Sequence, residues 1–146
     1  MDTCCASHAP RPVTAVRAAA PIMAQRHFLG RLAFETDPAD VAAHLATCPG
    51  ELVLVDTRTR DAYAASHLPG AISLPHAEIE EAAVAALPAG ALVVTYCWGP
   101  ACNAATKGAA RIAAAGLPVK EMLGGIAAWE AEGLPLHGAP ADREVA

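Results

Sequence analysis

Cys97 and Cys102 bracket the short segment Trp98-Gly99-Pro100-Ala101, and Asn103 follows directly. A thiol attacks as its thiolate, and two surroundings favour that form: converging backbone N–H groups and the positive end of a helix dipole. Trp98, Gly99, Ala101, Cys102 and Asn103 are candidate donors of such N–H groups, whereas Pro100 has none to give. Cys97 is therefore the candidate nucleophile. Cys102 has two readings: a resolving thiol that closes a disulfide with Cys97, or a small residue packed at a helix start. The other cysteines, Cys4, Cys5 and Cys48, have no chemical company in the sequence.

A loop can hold a thiol in this way only if the flanking elements fix it. Leu92-Val93-Val94-Thr95-Tyr96 predicts a buried strand that ends at Cys97, and Asn103 to Ala115 predicts a helix closed by Gly116. The same alternation runs through the chain. Thr36-Asp37-Pro38 predicts a capped helix start and Val41 and Leu45 its apolar face. Leu52 to Val55 predicts a buried strand, Thr59 to Ser66 a helix and His67-Leu68-Pro69-Gly70 a turn. Ala71 to Leu74 predicts a brief strand, Glu78 to Ala86 a helix, Val119 to Leu123 a strand and Ile126 to Glu132 a last helix. Such short βα units imply an α/β domain with a mostly parallel sheet and helices on both faces. Ligands in such sheets bind at the carboxyl ends of strands, where Cys97 falls.

Composition narrows the class. At 146 residues the chain allows one domain and hardly more, and 54% of it is hydrophobic. About a quarter is alanine, and no uninterrupted apolar run approaches the ~18 residues of a membrane span. Five cysteines without a Cys-x-x-Cys pair support neither a disulfide scaffold nor a structural zinc module, so no metal and no cofactor are expected. Residues after Glu35-Thr36 carry six basic and thirteen acidic side chains, which argues against nucleic acid as the main partner. Residues 1–25, basic and rich in Ala, are expected to be a disordered or non-native head, with the domain over 26–138 and a tail over 139–146. The sparse, odd cysteine set fits a reactive-thiol protein of the cytoplasm, without membrane partners.

Four motifs in order then resemble the rhodanese-like superfamily. They are Leu54-Val55-Asp56-Thr57-Arg58, Tyr63 with His67-Leu68-Pro69-Gly70-Ala71-Ile72-Ser73-Leu74-Pro75, Tyr96-Cys97, and Gly124-Gly125-Ile126-Ala127-Ala128-Trp129 followed by Gly133-Leu134-Pro135. The resemblance covers roughly Phe28 to His137. It implies a five-stranded sheet and a sulfurtransferase in which Cys97 takes a sulfane sulfur from a small donor such as thiosulfate. The persulfide then passes to a thiol, cyanide or protein acceptor. Loop amides would stabilise the anionic persulfide as an oxyanion hole stabilises oxygen.

The sequence departs from that pattern at the end of the loop. Many active members of the superfamily carry a cation, often Arg, and then Ser, where this chain has Cys102 and Asn103. Lys107 and Arg58 are the more distant candidates for anion binding, although Arg58 is expected to pair with an acidic group such as Asp61. Asp56 is expected to order the loops by hydrogen bonding. Trp98 is expected at the rim of the pocket or over the thiol. Two alternatives to an enzyme remain: a non-turnover sulfur carrier, and a thiol redox protein using Cys97 and Cys102. The cysteine spacing is two residues too long for a thioredoxin motif, and a Cys-dependent phosphatase lacks its Arg, since Asn103 stands six after Cys97.

Overall fold

Leu52–Asp56 (β2) and Leu92–Tyr96 (β4) run parallel in register, Leu52 opposite Leu92 and Asp56 opposite Tyr96. Each is buried from its second residue to its last, as expected of strands covered on both faces. Alternation along them sends Val53, Val55 and Val93 to one side and Leu54 and Val94 to the other. This arrangement comes from a computed structural model that describes residues 11–138, so Cys4, Cys5 and the tail over 139–146 lie outside it.

Val119–Met122 (β5) joins the far side of β4, with Val93 opposite Val119 and Thr95 opposite Glu121. Ile72–Ser73 (β3) joins β2, and Glu35–Thr36 (β1) joins β5. The sheet is five-stranded and wholly parallel, in the order β1-β5-β4-β2-β3. β1 has only two residues, too few for a strand signal in sequence, and its Thr36 directly precedes the true helix cap. That cap is Asp37, whose carboxylate accepts from the Asp40 N–H at 2.8 Å before Pro38–Thr47 (α2).

One face of the sheet packs Val41 of α2 with Ile126 and Trp129 of Gly125–Ala131 (α6). The other packs Val84 of Glu81–Ala85 (α4) and Ile112 of Ala104–Ala114 (α5) against Val55 and Val93. Between β2 and β3 lies the short helix Arg60–Ala65 (α3), capped by the Thr59 hydroxyl. The expected helix over Glu78 to Ala86 divides into a 3-10 turn over His76–Glu78 and α4. On α5 the buried side is Ala105, Gly108 and Ile112. Gly108 makes the close approach: a Cβ there would lie 2.9 Å from Thr57 Cγ2 and 3.0 Å from Ile79 Cδ1.

The described residues up to Arg31 form one unit and those from Leu32 a second. Pro21–Phe34 is helical (we label it α1), which crosses the expected boundary at residue 25, and a 3-10 turn covers Pro12–Thr14. Among the described residues, no helix is long and apolar enough to cross a membrane.

Candidate active site

The apolar run of β4 stops at Tyr96 because Cys97 begins a loop of small and turn-forming residues. Cys97 is 3% exposed. Its carbonyl accepts from the Ile126 N–H at 2.9 Å, and the Trp98 carbonyl accepts from the Ala127 N–H at 3.0 Å. The first turn of α6, which has spare N–H groups, thus anchors the start of the loop. That approach requires Gly125 (φ +59°), where a Cβ would lie 2.3 Å from the Cys97 carbonyl oxygen and 2.8 Å from the Gly99 nitrogen. At the other end, the buried Thr95 hydroxyl donates to the Ala105 carbonyl at 3.0 Å and ties α5 to β4.

Cys97 and Cys102 are joined as a disulfide. The two sulfurs that bracket the loop are therefore within bonding distance of one another. The Cys102 N–H donates to the Gly99 carbonyl at 3.1 Å, which removes it from the expected set of inward donors. The amides of Trp98, Gly99, Ala101 and Asn103 have no acceptor among the described residues. Asn103 caps α5 without a side-chain hydrogen bond, so the first-turn amides of that helix also stay open behind Cys102.

A cavity of about 190 Å³ opens beside the two sulfurs. Its walls include Cys97, Cys102, Ala105, Glu121, Met122 and Leu123. Ala101, Asn103, Trp98 and Lys107 do not line it, and among the described residues no Lys or Arg does. Glu121 is its sole charged side chain, and the Thr106 hydroxyl lies 3.0 and 2.9 Å from the two carboxylate oxygens. Sequence reading missed this wall. Residues 121–125 meet the loop only because β5 lies next to β4, which strand order decides and local pattern does not. The successive glycines Gly124 and Gly125, both at positive φ, are the one local signal of a close approach.

The Asp56–Arg58 pair corrects one expectation. Arg58 bonds Asp56 and not Asp61: its Nε and Nη2 donate to the carboxylate at 3.0 and 2.7 Å, with both side chains fully buried. The Arg58 N–H also reaches Asp56 at 3.0 Å, and Nη2 donates to the Ser66 carbonyl at 2.5 Å. The Tyr96 hydroxyl donates to the same carboxylate at 2.8 Å and accepts from the Leu68 N–H at 3.1 Å. Burial, then the neighbouring Asp56 charge, pushes the Tyr96 phenol far above its ordinary value. Trp98 does not cover the thiol; its ring lies over the Arg58 guanidinium, 4.4 Å from Cζ to centroid, with half its surface in solvent. His67 bonds backbone, its Nδ1 lying 2.8 Å from the Tyr63 carbonyl, and stacks on the Tyr63 ring. Trp129 is core, donating to the Pro135 carbonyl.

A buried cysteine at the carboxyl edge of a parallel sheet, its carbonyl held by the backbone of one helix start, defines a thiol-centred α/β domain. Residues 37–132 match the model of the rhodanese-like domain, and the chain belongs to that family, which is of the sulfurtransferase kind. It is 43% identical over 93 residues to an HTH-type transcriptional regulator of Mycobacterium tuberculosis, a match covering 62% of this chain and 40% of that protein's length. Among solved structures it resembles the BH2092 protein of Bacillus halodurans, with TM-score 0.79 and 41% identity over 84% of this chain and 92% of that one. It also resembles a thiosulfate sulfurtransferase of Pseudomonas aeruginosa, with TM-score 0.61 and 26% identity over 82% of this chain and 22% of the other.

Proposed function

We propose that the protein is a sulfurtransferase whose Cys97 carries the transferred sulfur as a persulfide. The observation that carries this reading is the place of Cys97: buried at the end of the central strand, beside unpaired loop amides and an open cavity. In the dithiol state, the Cys97 thiolate attacks the outer sulfur of thiosulfate. The new S–S bond forms as the sulfur–sulfur bond of the donor breaks, and sulfite leaves with the electron pair. Cyanide or a thiolate then attacks the outer sulfur of the persulfide, and Cys97 departs again as thiolate. The amides of Trp98, Gly99, Ala101 and Asn103 are the donors in reach of the loop interior for the persulfide anion. Asp56 and Arg58 hold the loop's base, and Lys107 is a solvated charge on α5.

Transfer of sulfur from thiosulfate to cyanide by the reduced protein tests this reading. Cys97→Ser is expected to abolish both turnover and the gain of one sulfur in mass. Retention of either by that variant would overturn the assignment. A persulfide that forms without turnover identifies a carrier that holds sulfur for a protein partner. The disulfide favours one second reading, a thiol redox protein cycling Cys97 and Cys102. Under that reading the reduced protein reacts with oxidants by losing two hydrogens and takes up no sulfur from any donor.

A further inference from the structure

We propose that Cys102 discharges the Cys97 persulfide from within, so that the protein reduces sulfane sulfur to hydrosulfide as well as handing it on. This rests on the reading of Cys97 as the persulfide-bearing thiol. A persulfide has two electrophilic positions. Attack on the outer sulfur passes it to the attacker; attack on the inner sulfur, Cys97 Sγ, expels the outer one. The Cys97–Cys102 disulfide is the product of the second path, since it joins Cys102 Sγ directly to Cys97 Sγ. The loop therefore brings the two sulfurs to bonding distance within the folded domain.

The step balances without an outside reagent. The Cys102 thiolate attacks the inner sulfur, the Cys102–Cys97 bond forms, and the bond to the outer sulfur breaks. The outer sulfur leaves with that electron pair and the persulfide proton as hydrosulfide. Two thiols are oxidised to a disulfide and one sulfane sulfur is reduced to sulfide. A dithiol reductant returns the disulfide to two thiols by ordinary exchange.

Three features of the site favour this path. Cys102 sits ahead of the uncapped N-terminus of α5, whose eleven residues supply a dipole that stabilises its thiolate. The cavity lined by both cysteines gives the departing sulfur room beside Ala105, Met122 and Leu123. Among the described residues no Lys or Arg lines that cavity and Glu121 does, so no side-chain cation there retains an expelled anion.

The test uses the whole chain, reduced and freed of reductant without oxygen, then loaded with inorganic polysulfide. Intact mass and trapped hydrosulfide are followed with time in the wild type, Cys102→Ser and Cys102→Ala. The wild type is expected to release one hydrosulfide per chain and settle two hydrogens below its reduced mass. Both variants are expected to keep the added sulfur at least about tenfold longer, because they lack the intramolecular attacker. Equal persulfide lifetimes in wild type and variants would overturn the discharge step and leave the sulfurtransferase reading standing. If no form takes up sulfur while Cys97 still alkylates, both fall.

Discussion

Arg58 and Cys97 both neighbour Trp98, one against its ring and one next to it in the chain, and they are treated in opposite ways. The guanidinium is fully buried and held by a carboxylate, a carbonyl and an indole face. The two cysteines border a cavity with no Lys or Arg among the described residues. A buried charge is tolerable only when paired, and Arg58 is committed to Asp56 through Nε and Nη2, with Nη1 left buried and without a hydrogen-bond partner among the described residues. Anion binding at Cys97 then falls to backbone dipoles. The difference separates the part that holds the loop from the part that reacts.

The largest way to break that separation is Asp56→Asn, which leaves Arg58 buried without its counter-charge and a single side-chain oxygen to serve both Arg58 and Tyr96. A loss of about 3–5 kcal/mol in stability is expected, as for other broken buried pairs, read from the urea midpoint. A loss under ~1 kcal/mol would mean that Arg58 is not anchored there. Gly125→Ala comes next: the positive φ alone costs about 1–3 kcal/mol, and the added Cβ must displace the Cys97 carbonyl. Here polysulfide loading of Cys97 is expected to fall together with stability, whereas Gly116→Ala, also at positive φ but with open space for a Cβ, should lower stability alone. Tyr96→Phe is milder, about 1–2 kcal/mol for a buried hydroxyl and its partners. Its size changes with pH. Because the phenol is raised in the fold, the native state keeps its proton while the unfolded chain loses it above pH ~10. The stability due to Tyr96 is therefore complete below that pH and declines above it, by up to ~1.4 kcal/mol per pH unit. The wild-type and Tyr96→Phe stability curves should converge on the alkaline side; parallel curves there would contradict the raised phenol.

The reacting half of the site was more legible in sequence than the holding half. An apolar run ending at Cys97, a loop with Gly and Pro, and a helix after Asn103 are local patterns, and the structure has them within a residue or two. β1 and α1 lacked such signals. The first is two residues long; the second starts at Pro21 without an acidic residue in its first turn and contains Gly30. Arg58 has an acidic partner near the strand end as expected, but that partner is Asp56 and not Asp61. Residues two apart on extended chain share a face, so the correct partner was readable. The Glu121 wall was not, for it depends on β5 lying next to β4.

Glu121 offers the smallest and most specific test of the contrast. A carboxylate that lines the cavity opposes a dianionic donor more than a neutral one, and no Lys or Arg offsets it. At the few-ångström separations of such a cavity, the repulsion of a dianion in a largely aqueous setting is on the order of 1 kcal/mol. Glu121→Gln is therefore expected to raise the rate of Cys97 loading by thiosulfate about fivefold at low ionic strength, with the gain shrinking as salt is added. Loading by a neutral alkyl persulfide should change little in the same variant. An equal gain for both donors would point to altered packing against Thr106, whose hydroxyl bonds the carboxylate, rather than to charge. A thiosulfate rate unmoved at any salt would mean that the donor approaches Cys97 by a path away from β5, and the cavity would then serve the departing sulfur only.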